Sequence, residues 1–229
     1  MKKDKQRNSL FLLIIVMIAS YFLYFIVVNT SKSEKKEVGD TLETQFLKEV
    51  IYLEKSPNDQ EHGLDLSSMN SMMLHEIMLD VKQTIVQDTG LSQADLDTLF
   101  KQYHQKLKEK AHYTSELIKE QKKMKEYKIQ VYGMDLSTFL KQLKLEVQKS
   151  KEVKIEDKAG YLHQLFSRQI ETISVKKDPV ILSLKFKKNN NNKWQIDSNQ
   201  FSVLNIYLGF YAGESNLLAL KGMMDGLEF

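Results

Sequence analysis

The apolar run from Leu10 to Val28 constrains the fold of this chain more than any other stretch. It contains no charged residue, and its polar side-chain groups are Ser20 and two tyrosine hydroxyls. A helix of this length rises about 1.5 Å per residue and spans roughly 28 Å, close to the roughly 30 Å hydrocarbon core of a bilayer. Such a helix also satisfies its backbone hydrogen bonds internally. Residues 10–28 are therefore predicted to form a transmembrane helix, between a basic segment at 1–9 and a polar stalk at 29–40.

A cleaved secretory signal is the competing interpretation, because Lys2, Lys3, Lys5 and Arg7 precede the apolar run. The run is longer than the roughly 7 to 15 residues of a signal core, and its end offers no small-x-small cleavage pattern. An uncleaved anchor is therefore favoured. Lysine and arginine are more concentrated before the run than after it, which favours a cytoplasmic amino terminus and an extracytoplasmic domain at 41–229.

The remainder of the sequence has no second apolar run of this length and no cysteine. The lack of cysteine excludes a disulfide scaffold, a thiol nucleophile, a zinc-thiolate site and a lipidated cysteine anchor. The length suffices for one domain with a hydrophobic core. Residues 101–154 are richer in lysine than in acids, which suits anionic lipid head groups, wall polymers or nucleic acid. A solvated lysine-rich surface is the simpler interpretation, because glutamates interrupt the lysines.

Three stretches in the first half of the domain have the apolar spacing of helices. The first begins at Leu42 and ends before Pro57. The second lies between Asp65 and Gly90, and its wide apolar arc of methionines predicts burial in the core or across a groove. The third opens at Ser92, which forms a predicted capping box with Asp95.

Two pairs of stretches with alternating apolar residues predict β-hairpins. The first pair is 112–119 with 126–132, and the second turns through Asn189–Asn192 and returns at Trp194. Asp135 is placed to cap a helix after the first hairpin, a further helix follows, and the tail has helical spacing. Helices grouped with antiparallel hairpins indicate the α+β class.

The motifs of common catalytic sites are incomplete in this sequence. His75-Glu76 resembles the start of a zinc-protease helix, but Leu79 stands where the second histidine is needed. Gly213-Glu214-Ser215 lacks the second glycine of a nucleophile elbow. We therefore expect no catalytic residue, no cofactor and no metal ligand. The residues predicted to line a pocket or groove, with core packing as the simpler alternative, are Met69, Met72, Met73, Ile77 and Trp194.

A family resemblance lies in the order of these elements. The residues that carry it are His112-Tyr113-Thr114 paired with Tyr127–Val131, then Gly133-Met134-Asp135-Leu136 directly after this pair, and the closing strand Lys193-Trp194-Gln195-Ile196-Asp197. This order resembles an extracytoplasmic domain of Gram-positive lipoproteins and membrane-anchored proteins. That domain is of the nuclear-transport-factor-two-like, or cystatin-like, cone type. The resemblance covers roughly residues 41–211. It implies a curved antiparallel sheet wrapped over helices, with a pocket or groove between them.

The layout adds a second resemblance, because a transmembrane helix at 10–28 takes the place of an anchor cysteine. In this respect the chain is similar to single-pass assembly proteins of type IV secretion and conjugation machines. A fold of this kind serves enzymes, ligand carriers and scaffolds, so it does not decide activity by itself.

From these observations we expect a single-pass protein of the cell membrane. Its domain is expected to be a non-catalytic interaction or assembly module of the bacterial envelope. If the second resemblance holds, the module belongs to a secretion or conjugation system. The expected partners are the membrane and proteins of the envelope. Association of the chain with itself, as a homo-oligomer, is a further option, and binding of nucleic acid is not expected. The alternative function is an extracytoplasmic domain that binds a small molecule or a lipid.

Overall fold

The computed structural model describes residues 41–54, 64–65, 90–150, 157–197 and 200–225. The predicted transmembrane helix at 10–28 and the predicted methionine-rich helix lie outside these residues. Among the helices that the structure describes, none combines the length and hydropathy needed to cross a membrane.

Helices packed on an antiparallel sheet make up the described part of the chain, which confirms the predicted α+β class. In chain order the elements are α1 (Leu42–Val50), α2 (Gln93–Lys110), β1 (His112–Gln121), β2 (Met124–Tyr132), α3 (Leu136–Ser150), α4 (Lys158–Thr172), β3 (Val180–Lys188), β4 (Trp194–Ile196), α5 (Gln200–Ala212) and α6 (Leu217–Asp225).

The described strands form one sheet in the order β1-β2-β3-β4, and each strand runs antiparallel to the next. Tyr127, Ile129 and Val131 of β2 are buried while the residues between them are partly exposed, as the alternation predicts. The register places Tyr127 between Leu117 of β1 and Leu184 of β3. The buried apolar side chains of β2 and β3 therefore share the face that the helices cover.

Both hairpin turns lie at the same end of this sheet, because the start of β2 pairs with the end of β3. The first turn contains Lys122 and Lys123, and the second runs through the predicted asparagine segment. The backbone N–H of Lys188 donates to the carbonyl of Lys123 over 3.0 Å, which joins the two turns. Asn192 has φ +60°, a left-handed conformation that asparagine tolerates better than most residues.

Helix α5 lies between the sheet and the other helices. It is apolar on all sides, and such a helix is stable only when it is buried. A Cβ at Gly133 would lie 1.8 Å from the carbonyl oxygen of Gly209, so the backbone after β2 passes directly against α5. The N–H of Met134 donates to the carbonyl of Phe210 over 2.9 Å. The buried side chains of α5 are those of Val203, Ile206, Tyr207, Leu208, Phe210, Tyr211 and Ala212.

Two helix starts predicted from the sequence are confirmed by their hydrogen bonds. The N–H of Asp95 donates to Ser92 Oγ over 3.1 Å, and the N–H of Ser92 donates to Asp95 Oδ2 over 3.0 Å, which completes the capping box of α2. At α3, Asp135 Oδ1 accepts from the N–H of Thr138 over 3.0 Å. These bonds satisfy donors that a helix start leaves unpaired.

Candidate functional site

Of the residues predicted to line a groove, Trp194 lies in the described part of the chain, and Met69, Met72, Met73 and Ile77 lie outside it. Trp194 begins β4 opposite Lys188 and is partly buried against the hydrophobic core. Whether these five residues meet in one groove stays a prediction.

The surroundings of Trp194 form a compact corner that ties a distant segment to the sheet. Leu64 forms a parallel bridge with Trp194, and the N–H of Asp65 donates to the Trp194 carbonyl over 2.6 Å. Asn189 donates its side-chain N–H to Asp65 Oδ2 over 2.9 Å. We call Leu64, Asp65, Asn189 and Trp194 the Trp194 corner. It fixes the point in the chain that directly precedes the predicted methionine-rich helix.

Two ammonium groups lie over the indole ring of Trp194. Lys188 Nζ is 5.1 Å from the ring centroid and Lys125 Nζ is 5.8 Å from it. Such cation–π contacts contribute about 0.5–1 kcal/mol each at exposed sites. The described surroundings of the indole therefore contain two ammonium groups, of which that of Lys125 also forms an ion pair of 3.0 Å with Glu120.

The turns beside the Trp194 corner add further positive charge. The register brings lysines of β1, of both turns and of β3 to this one end of the sheet. We call this group the basic end; it consists of Lys119, Lys122, Lys123, Lys188 and Lys193. Lys188 is half-buried, and the other four lysines are exposed.

A buried polar network lies on the opposite side of the core from the turns. The Tyr103 hydroxyl donates to the Tyr211 carbonyl over 2.5 Å, and His104 Nδ1 lies 2.9 Å from the Tyr211 hydroxyl. His104 Nε2 lies 3.3 Å from the carbonyl of Tyr52. The Tyr207 hydroxyl donates to the carbonyl at the end of α1, Val50, over 3.1 Å. The network joins α1, α2 and α5.

The contacts of His104 determine its tautomer and its charge. A carbonyl can only accept, so Nε2 carries the proton and donates to Tyr52, and Nδ1 accepts from the Tyr211 hydroxyl. Burial lowers the pKa of His104 to about 4, although the bond to the Tyr52 carbonyl opposes this shift. Burial likewise raises the pKa of Tyr103 and of Tyr207 above the ordinary tyrosine value. At neutral pH the network is uncharged.

The network serves the packing of helices, because both ring nitrogens of His104 are engaged by protein groups inside the core. The sequence reasoning did not single out this histidine. A signal was present, since His104 follows Phe100 by four residues and therefore lies within the apolar stripe of α2.

A second buried polar group places the start of the described chain beside β1. Glu43 in the first turn of α1 is 3% exposed, and its Oε1 accepts from Ser115 Oγ of β1 over 2.9 Å. The Thr41 hydroxyl donates to the same oxygen over 2.6 Å. Burial, and after it the charge of Glu43, raise the pKa of Tyr127 to about 12. A carboxylate is favourable in a first helical turn, where it complements the helix dipole.

Other candidate sites in the described residues are weaker. A depression of about 450 Å³ lies along α4. No group of three histidine, aspartate or glutamate side chains in the described part of the chain is arranged to hold a metal ion. The described residues that line the depression are Tyr161, His163, Gln164, Ser167 and Arg168.

The fold is similar to that of the crystal structure described as "a putative lipoprotein (ycdA)" from Bacillus subtilis, with a TM-score of 0.50. The match has 16% sequence identity and covers 74% of this chain and 54% of that one, so the chain spans about half the length of that protein. At this identity the likeness concerns the fold alone. No curated protein matches the sequence. Residues 34–211, well over half of the chain, match the family model described as "Domain of unknown function (DUF5105)", and the chain therefore belongs to the DUF5105 family.

Proposed function

We propose that the chain is a membrane-anchored, non-catalytic interaction module on the extracytoplasmic side of the bacterial cell envelope. The observation that carries this proposal is the uncharged run from Leu10 to Val28, which is long enough to span a bilayer. The likeness of the domain to a fold described as that of a lipoprotein supports it, because a lipoprotein also holds its domain at a membrane. In this chain the apolar run replaces the lipid.

The buried network supports a non-catalytic role. A general base must reach the proton that it removes from a substrate, and both nitrogens of His104 are instead bonded inside the core. The module then acts through its surface. The proposed partners are envelope proteins or a second copy of the chain, without nucleic acid.

Two finer parts of the expectation are also proposals. A nuclear-transport-factor-two-like cone is supported by the order of hairpins and helices, and a place in a secretion or conjugation assembly is supported by the single-pass layout. Both depend on resemblance, and the function of the domain does not follow from either.

The lack of cysteine allows a direct test of anchoring and orientation. One variant carries Ala94→Cys on the exposed side of α2, and the matched variant carries Lys5→Cys before the apolar run. In intact protoplasts a membrane-impermeant maleimide should label the first variant and not the second, and lysis should expose both. Labelling of Lys5→Cys alone, or recovery of a shortened chain from the medium, would refute the proposal.

A second candidate function is the binding of a small molecule or a lipid, and the partly buried position of Trp194 favours it. Trp194 is the single tryptophan, so its fluorescence reports on this corner alone. Titration of the full chain in detergent with a fluorescence-quenching, brominated fatty acid should reduce the emission in a saturable way if the corner binds lipid. Unsaturable quenching equal to that of free tryptophan would exclude this function.

A further inference from the structure

The basic end of the sheet has charge that the described surface does not neutralise. Two neighbouring lysines are paired with acids: Lys125 forms an ion pair of 3.0 Å with Glu120, and Lys187 forms one of 2.6 Å with Asp197. By contrast, no acid in the described residues lies within ion-pair distance of the exposed turn lysines Lys122, Lys123 and Lys193. Lys119 of β1 is the cross-strand neighbour of Glu126, so its charge is partly offset.

We propose that the basic end docks onto the anionic lipid head groups of the membrane that anchors the chain, so that the domain lies against the bilayer surface. This inference rests on the proposed function, because it takes the anchor from there. It adds a second membrane contact, made by the folded domain itself.

Apolar side chains lie next to these lysines on the same hairpin. Leu117 is 44% exposed and Ile118 is 51% exposed, at a β-bulge between Leu117 and Lys119. A bulge breaks the alternation of the strand and turns neighbouring side chains outward. Exposed apolar residues beside lysines are the composition that inserts into the boundary between head groups and acyl chains. Trp194 adds an aromatic ring of the type found at that boundary.

The distances allow the contact. Glu43 bonds to Ser115, so the described chain begins beside the middle of β1. From Ser115 to Lys122 the strand extends about 23 Å. A stalk of the length predicted at 29–40 can span at most about 40 Å, which exceeds that distance, so its length permits the turns to meet the bilayer surface.

A lipid surface fits these lysines better than a folded partner does. An acidic protein site would pair with lysines grouped on one element, whereas these lysines are spread over β1 and both turns and match a surface with a continuous negative potential. The anchor keeps that surface within reach at every moment, which raises its effective concentration.

The test uses the full chain with a single environment-sensitive label. Lys122→Cys places the label at the basic end, and Lys177→Cys is the matched control, since it removes the same charge at an exposed position just before β3, at the other end of the sheet. Each variant is reconstituted into phosphatidylcholine vesicles with and without phosphatidylglycerol. Accessibility to a water-soluble quencher and vesicle flotation are measured in the same samples.

We expect phosphatidylglycerol to shield the label at position 122 and to leave the label at position 177 unchanged. The shielding should disappear at about 1 M salt, where the Debye length falls to about 3 Å, and when Lys119, Lys123 and Lys193 are replaced by glutamine. Equal accessibility in both lipids would overturn the docking. Shielding by soluble polyglutamate in phosphatidylcholine vesicles would overturn the lipid as partner and indicate an acidic polymer.

Flotation separates this inference from the proposed function. Flotation with both lipids and no shielding refutes the docking and leaves the anchor intact. Flotation with phosphatidylglycerol alone refutes the anchor, and with it the docking as proposed, because the docking takes the anchor from the proposed function. Flotation with neither lipid refutes both.

Discussion

Acidification should destabilise this domain through His104. The folded protein holds the pKa of this histidine at about 4, whereas an unfolded chain gives it a pKa of about 6.5. Between these values the unfolded state binds the additional proton, so the stability is full above about pH 6.5 and falls as the pH falls toward 4. The direction is opposite to that of a histidine stabilised by an acidic partner.

The size of this effect follows from the two pKa values. Between about pH 7.5 and pH 5 the free energy of unfolding should fall by about 2 kcal/mol through this residue alone, and the loss approaches about 3 kcal/mol near pH 4. For a domain of this size, a loss of about 2 kcal/mol lowers Tm by roughly 4–8 °C.

Two matched substitutions isolate the contribution. His104→Gln keeps an N–H that can donate to the Tyr52 carbonyl, and the Tyr211 hydroxyl can then turn to the carbonyl of Ile51, 3.4 Å away. This variant should lose about 1 kcal/mol at neutral pH and lose most of the decline between about pH 7.5 and pH 5. His163→Gln changes a partly exposed histidine that lies 4.0 Å from Asp95, and it should retain the decline.

Thermal unfolding of the full chain in mild detergent, followed by the fluorescence of its single tryptophan, measures all three proteins at each pH. If His104→Gln lost as much stability on acidification as the parent chain, His104 would not be the group that titrates. If His163→Gln alone removed the decline, the buried network would not be its origin.

Three substitutions test the helix contacts. Gly133→Ala should lower the free energy of unfolding by about 3 kcal/mol or more, because the new Cβ meets backbone of α5 that cannot rotate away. Gly222→Ala is its control, since in the described residues nothing beyond the backbone of its own helix lies within 4 Å of the new Cβ, and it should stabilise α6 by about 0.5–1 kcal/mol. Ser92→Ala should cost about 1 kcal/mol and speed amide exchange at Asp95, because it removes the hydroxyl that accepts from that N–H. Equal Tm values for the two glycine variants, or unchanged exchange at Asp95, would contradict these assignments.

The local elements of the fold were predictable because their signals are local. Alternation at Tyr127, Ile129 and Val131 identified β2 and its buried face, and Ser92 with Asp95 identified the start of α2. These features need only the spacing of neighbouring residues, which the sequence contains directly.

The candidate sites were less predictable, because they depend on residues far apart in the chain. His104 and Tyr211 are 107 positions apart, and a polar residue in an apolar stripe can lie at its edge or at its centre. The basic end likewise joins Lys122 to Lys193 through the register of three strand pairs. Lysine content indicated a basic surface, but the pairing of strands decides which lysines share an end and which have acidic neighbours.

The same long-range contacts give the first helix of the domain a special position. Helix α1 leaves its last carbonyls without partners inside the helix, as every helix does. Side chains from later in the chain bond at this end: the Tyr207 hydroxyl, 157 positions on, donates to the Val50 carbonyl, and His104 bonds to the carbonyl of Tyr52, two residues past the helix. Because α1 directly follows the predicted stalk, a pull on the tether acts on a helix whose end is bonded within the core. If the predicted helix at 10–28 anchors the domain, force on the tether enters at the first turn of α1, where Glu43 accepts from Ser115 of β1, and the network holds the other end of the same helix.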